Sequence, residues 1–217
     1  ISIEAFVEEL SGLKKSLPID LIYKFYLVYK DKTTKKNRDT FDQFLGWSKM
    51  VLSDFNQIDS HLVDPKTFFD FQFSLEELQQ WAEREDTNLM VKNQLEFWRQ
   101  MPELYSGLKA SLRQNQQGTL GMLFREAVNN LEHYIQNNTH HHFFVGFNAL
   151  NRAEEQIIQE FLTTEQGNVI WDIDRYFYED EVHSAGKFIR QYYRDWKSLR
   201  GSEAVSYTHL TLPTRLS

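Results

Sequence analysis

Apolar positions recur at helical spacing along most of the chain, and change to short unbroken runs between residues 142 and 178. Ile3, Phe6, Val7, Leu10 and Leu13 make one stripe and predict an amphipathic helix over Ile3–Leu13. Pro18 suits the first turn of a second helix that reaches about Tyr29 and buries Leu21, Ile22 and Phe25. Lys30–Asp39 reads as a charged connector. Thr40 is placed to cap a longer helix with Phe41, Phe44, Leu45, Val51, Leu52, Phe55, Ile58 and Leu62 in register, ended before Pro65. Phe68–Phe73 then reads as an aromatic linker. Ser74, with Glu77 three residues on, has the spacing of a capping box for the next helix. Further helices are expected over about Asn88–Arg99, Glu103–Gln114 and Thr119–Glu132, with Met101-Pro102 and Asn115–Gly118 as breaks.

The second pattern is strand, helix, strand. Phe143, Phe144 and Val145 form a β-prone run that stops at Gly146. Asn151 can cap a helix carrying Ala153, Ile157, Ile158, Phe161 and Leu162, and Gly167 precedes the run Val169-Ile170-Trp171. Two apolar strands joined by one helix predict parallel pairing in a buried sheet, with Phe144, Val145, Val169 and Ile170 inside. Upstream of His140 no matching strands are expected. The fold class is therefore α/β overall but mostly helical, with a helical subdomain over 1–139 and an α/β core over 140–201. A last helix is expected from about Glu181 to Trp196. Residue 1 is Ile and the chain reads as an internal fragment. Residues 202–217, with the threonine-rich Ser206–Ser217, resemble translated adaptor or vector sequence.

Composition narrows the chemistry. The chain has 217 residues, no cysteine and only four prolines, with aromatics at 15%. Disulfides, thiolate metal sites and cysteine nucleophiles are excluded, and a packed helical body is expected. No apolar run approaches the ~20 residues of a membrane span, so no membrane partner and a cytoplasmic location are expected. The net charge of −7 argues against a nucleic-acid binder held by overall charge, though a local basic patch remains compatible with it.

In an open parallel sheet, ligands collect at the carboxyl ends of the strands. Here those ends are Gly146-Phe147-Asn148 and Asp172-Ile173-Asp174-Arg175. Asp172 and Asp174, two residues apart, are candidate cation ligands, against the simpler reading that they cap the following turn. His140, His141 and His142 alternate in direction at a strand start with no acid close in sequence, so a solvated loop accounts for them better than a metal site. Lys30, Lys32, Lys35, Lys36 and Arg38 form a basic cluster able to contact phosphates, and a solvated loop is the competing reading. Phe68, Phe69, Phe71 and Phe73 have rings that could stack bases but fit a core plug better.

Five segments in order extend these readings: Phe41–Phe69, Gly121–Val128, Phe144–Glu155, Val169–Tyr178 and His183–Gln191. Together they resemble the AddB/RecB-like helicase–nuclease subunits of bacteria, which belong to the PD-(D/E)XK nuclease superfamily. The resemblance implies the helicase-like N-terminal region of a longer DNA-repair protein, with helices inserted before a partial RecA-like βαβ unit. It also implies DNA and an AddA-like helicase subunit as partners, and magnesium in the nuclease of the parent protein. An active helicase of this type carries an Asp-Glu pair after the first strand, where this chain has Gly146, Phe147 and Asn148. The later Gly-Asp-x-x-Gln element is matched by Trp171-Asp172-Ile173-Asp174-Arg175, which keeps the Asp but has Trp for Gly and Arg175 for Gln. No phosphate loop and no nuclease carboxylate set is recognised, and Asp64-Pro65-Lys66 mimics only part of one. Neither a catalytic residue nor a metal or cofactor site is therefore expected in this chain. Gly146, Phe147, Asn148, Asp172, Asp174 and Arg175 are read as a degenerate nucleotide site. The alternatives are an active ATPase module and a helical protein-interaction domain with no DNA role.

Overall fold

A computed structural model describes residues 1–35, 38–82 and 89–199, and the side chains of all these except 73, 75–82 and 89–96. The described residues are mostly helical with two short pairs of parallel strands, and the chain divides into two compact units, Ile1–Asn130 and Leu131–Ser217. The division falls inside a helix, rather than at residue 139. The adaptor-like residues 202–217 lie outside the described residues.

Local sequence sets the ends of the first elements. Helix α1 (Ile3–Ser11) starts where Ser2 accepts the Ala5 N–H, and stops at Gly12, whose φ of +68° suits a residue without a side chain. Strand β1 (Lys14–Lys15) follows, then α2 (Pro18–Lys32) with its proline in the first turn. Helix α3 (Phe41–Ser60) opens with a full capping box, Thr40 bonding the Gln43 N–H and Gln43 bonding back. It ends in a Schellman turn: Leu62 N–H bonds the Asp59 carbonyl and Val63 N–H bonds the Ile58 carbonyl, with Leu62 at a φ of 55°.

The next two helices depart from the sequence reading. Helix α4 (Pro65–Ala82) runs straight through the expected aromatic linker. Asp64 accepts the Thr67 N–H at 2.8 Å and starts the helix ten residues earlier than expected. Asp64-Pro65-Lys66 therefore opens a helix. Ser74 lies within that helix and donates to the Asp70 carbonyl at 2.9 Å, so it caps nothing. Phe69 is buried, Phe68 half-buried and Phe71 exposed, while the Phe73 side chain lies outside those described.

Helix α5 (Leu89–Arg113) is continuous where two helices were expected, with Pro102 inside it. An interior proline costs about 3 kcal/mol. Met101 just before it and Leu104, Tyr105, Leu108 and Leu112 after it recur at helical spacing and are all buried. At roughly 1.5–3 kcal/mol for each such side chain, their burial outweighs the lost backbone bond.

Strand β2 (Gln117–Gly118) pairs parallel with β1, Lys14 opposite Gln117, so a strand pair does precede His140. A two-residue ladder is too short to leave a period in the sequence. Helix α6 (Leu120–Asn137) follows. Gly121 lets α6 lie against the α3 backbone, because a Cβ there would run into the Asn56 carbonyl, and its N–H bonds Asn56 Oδ1 at 2.6 Å. The core of this unit is aromatic: Phe25 and Phe44 lie 5.2 Å apart, Phe44 and Trp47 4.8 Å, Phe55 and Tyr105 5.2 Å.

In the second unit β3 (His142–Val145) and β4 (Gly167–Ile170) pair in parallel, Phe144 opposite Val169. Helix α7 (Arg152–Thr163) connects them and opens with a capping box of Asn151 and Glu154. As expected, Ile157 and Phe161 are wholly buried and Phe144 is buried. Phe161 meets Phe144 at 5.5 Å and His142 at 4.5 Å, so His142 is part of this packing rather than of a solvated loop. The burial expectation fails at three positions: Val145 is 58% exposed, and Val169 and Ile170 are only partly buried. Alternation explains Val145 and its register partner Ile170, since α7 covers the Phe144 face of the ladder and Phe143 and Val145 point to the other.

Helix α8 (Arg175–Glu179) and α9 (Lys187–Asp195) replace the single helix expected from Glu181. The Arg190 guanidinium binds the carbonyls of Phe177, Tyr178, Glu181 and His183 and holds 177–183 as a turn. Truncating Phe161 to Ala should cost about 3–5 kcal/mol in urea unfolding, because the cavity opens between α7 and the ladder. Gly121→Ala should also lower the midpoint, since the obstacle is backbone rather than a movable side chain.

Candidate functional site

The strand ends lie side by side, as parallel pairing requires. Gly146 leaves β3 with a φ of +79°, and its N–H reaches the Ile170 carbonyl at 3.3 Å. Phe147 is half-buried against Phe144, and Asn148 is exposed. After β4, Trp171 is 2% exposed and stacks on Tyr192 of α9 at 5.3 Å, with Trp196 at 6.0 Å. The Tyr192 hydroxyl accepts the Leu150 N–H at 3.0 Å. A single ring from α9 is thus in contact with the loops after both strands. Burial raises the Tyr192 pKa, and so the hydroxyl keeps its proton.

The acids of this region are differently employed. Asp174 caps α8 by accepting the Tyr176 N–H at 2.7 Å, and Arg175 pairs with Glu179 at 2.6 Å. Asp172 is exposed. Among the described residues no three His, Asp or Glu side chains converge as a metal site would need. The arrangement ties loops together and leaves Asn148 and Asp172 as the outward polar groups.

The basic connector proves partly structural. Helix α2 extends to Lys32, three residues beyond the expected end. Arg38 folds back and donates to the carbonyls of Lys30 and Thr33, satisfying acceptors that the helix end leaves open. Lys30 lies over the Tyr26 ring at 4.9 Å, and Lys32 stands 3.8 Å from Asp31. Asp39 accepts the Trp47 indole N–H at 2.9 Å while its own N–H bonds Tyr29. Lys35 is exposed, and Lys36 lies outside the described residues.

Sequence reasoning missed a polar cluster centred on Asp59. Asp59, 1% exposed, accepts hydrogen bonds on one carboxylate oxygen from Tyr105 at 2.6 Å, Lys109 at 2.7 Å and Arg125 at 2.6 Å. Arg125 also donates to the Ile58 and Val63 carbonyls, bracketing the Schellman turn that ends α3. Burial, then the bond to Asp59, raises the Tyr105 pKa well above its usual value, so the phenol stays neutral. Burial lowers the Lys109 pKa despite the pull of Asp59. The one available sequence signal was a charged residue at Asp59 among the apolar positions of α3.

No family model matches the chain, and neither the curated proteins nor the solved structures contain a match to it. Among the described residues no helix is long and apolar enough to cross a membrane. The site must be read from its own chemistry.

That chemistry makes Asp59 a fastening point. Asp59→Ala should destabilise the first unit by up to about 3–5 kcal/mol, because Lys109 and Arg125 would be left as partly buried charges without their partner. Alkali should act through Tyr105. Its raised pKa means the folded chain keeps a proton that the unfolded chain releases, so that stability is lost as pH rises above about 10. Lys109 acts in the opposite sense, since a lowered lysine pKa favours folding as pH rises toward its usual value. Urea midpoints between roughly pH 9 and 11 should fall less steeply for Tyr105→Phe than for the parent chain.

Proposed function

We propose that this chain is a non-catalytic, helicase-like portion of a DNA double-strand-break repair helicase–nuclease, with a structural or DNA-contacting role. The supporting observation is the filled strand ends. Where an ATP-hydrolysing relative would place paired carboxylates and a phosphate, this chain has Asn148 and the stacked pair Trp171–Tyr192. A magnesium–nucleotide complex needs oxygen ligands and an open cradle of N–H donors. Buried indole and phenol rings supply neither. In this reading the parent protein is cytoplasmic, carries a magnesium-dependent nuclease elsewhere and works beside an AddA-like subunit.

The competing reading, a helical protein-interaction domain, draws support from the connector, where Arg38 and Lys30 are occupied within the fold. Two measurements on the longer protein separate these readings. Titration with magnesium–ATP should give no saturable binding assignable to this region. Binding that disappears in Asp172→Ala would favour an active ATPase module. For DNA, Lys32, Lys35 and Lys36 are the connector cations to replace together by Ala. Three phosphate contacts correspond to a slope of log affinity against log salt of about −2.7 on duplex DNA. Losing them should flatten the slope by that amount, without regard to base sequence. An unchanged slope would remove the connector as a DNA contact and favour the protein-interaction reading.

A further inference from the structure

Helix α2 packs on α3 and α5 through Phe25, Val28 and Tyr29, yet its opposite side is apolar as well. Ile19 is 70% exposed, Tyr23 58% and Leu27 42%, one residue per turn along a single face. Tyr26 carries this face toward the start of α3, where its ring meets the partly exposed Phe41 edge to face at 5.0 Å. A helix with one side in a core ordinarily turns polar residues to water on the other. Here the exposed side chains leave on the order of 400 Å² of apolar surface in water, a size that often marks an interaction site.

The charges at the ends of the stripe show what fits it. Asp20 stands in the first turn of α2 and Lys30 in the last. Asp20 precedes Tyr23 by three residues and Lys30 follows Leu27 by three, so all four share the face. Their positions are symmetric about residue 25, and reversing the helix places Tyr23 on Leu27 and Asp20 on Lys30. A second α2 laid antiparallel across the stripe therefore meets apolar with apolar and acid with base, twice over, as a two-fold interface requires. A parallel copy would set like charges against each other at both ends. The Tyr26 ring under Lys30, at 4.9 Å, keeps the ammonium on this face. Among the described residues neither Asp20 nor Lys30 has an ion-pair partner. The area agrees too. A stable pair buries about 800 Å² per partner, a little over half of it apolar, and the stripe supplies that half with its charges at the rim.

We propose that α2 is the interface of a homodimer, two copies crossing antiparallel so that Tyr23 packs on the partner's Leu27 and Asp20 pairs with the partner's Lys30. The interface does not depend on the DNA role proposed above, because neither the strand ends nor Lys32, Lys35 and Lys36 take part in it.

Sedimentation equilibrium of the full chain is the test. The chain should dimerise with a dissociation constant on the order of 10 μM. Asp20→Lys sets two cations against each other at both ends and should weaken the dimer by about tenfold, and Lys30→Asp should do the same with two acids. Combining both changes in one chain restores opposite charges across the two-fold and should recover the parent affinity. An equimolar mixture of the two single variants should recover it as a heterodimer. Tyr23→Ser removes apolar area without touching a charge and should also weaken association by about tenfold. Asp20 and Tyr23 are exposed, so their variants should keep the parent far-ultraviolet spectrum. A chain that stays monomeric at about 100 μM overturns the proposal and leaves the stripe to another segment of the longer protein or to a different polypeptide. A dimer indifferent to Tyr23→Ser or to the single charge reversals, or one that the double reversal fails to restore, overturns it as well.

Discussion

One oxygen of Asp59 joins three helices of the first unit. Asp59 belongs to the last turn of α3, Tyr105 and Lys109 to α5, and Arg125 to α6, and all three donors reach the same atom. The carboxylate is buried, so its desolvation cost has to be offset by good geometry on every side. Arg125 adds a second constraint by binding carbonyls on either side of the Schellman turn. The turn directs the chain into Asp64, which then starts α4. The direction in which α4 leaves α3 depends on that fastening.

Aromatic packing works with it. The rings of Phe25, Phe44, Trp47, Phe55 and Tyr105 form a continuous set of edge and tilted contacts across α2, α3 and α5. Tyr105 belongs to both systems, its ring in the apolar set and its hydroxyl on Asp59. Such a residue couples burial to charge pairing, so losing either part weakens the other. Glycine is needed at Gly121, where the α6 backbone approaches α3 too closely for a side chain.

The second unit uses the same device on a smaller scale. Tyr192 contributes its ring to the Trp171–Trp196 stack and its hydroxyl to the backbone of the loop after β3. Arg190 gathers four carbonyls as Arg125 and Arg38 gather theirs. In each case a guanidinium satisfies acceptors that irregular backbone would otherwise leave unpaired. At Arg38 this use commits to the fold a residue that the sequence offers for phosphate contact.

The sequence by itself determined what depends on neighbours within about one helical turn. The caps at Thr40–Gln43 and Asn151–Glu154, the proline start of α2 and the buried face of α7 all follow from local spacing, and the strand–helix–strand order then fixes the parallel pairing of β3 with β4. So do the positions of Gly146, Asn148, Asp172 and Asp174 after the two strands. The tertiary structure decided what depends on distant partners. Pro102 sits inside a helix because five side chains following the same stripe find a core, a gain invisible to a residue-by-residue propensity. Ser74 lost its capping role because Asp64 started the helix first. Arg38 was claimed by the end of α2, and Trp171 by a tyrosine 21 residues away. Asp59 drew its partners from 46, 50 and 66 residues along the chain, distances at which periodicity carries no information and only three-dimensional packing does.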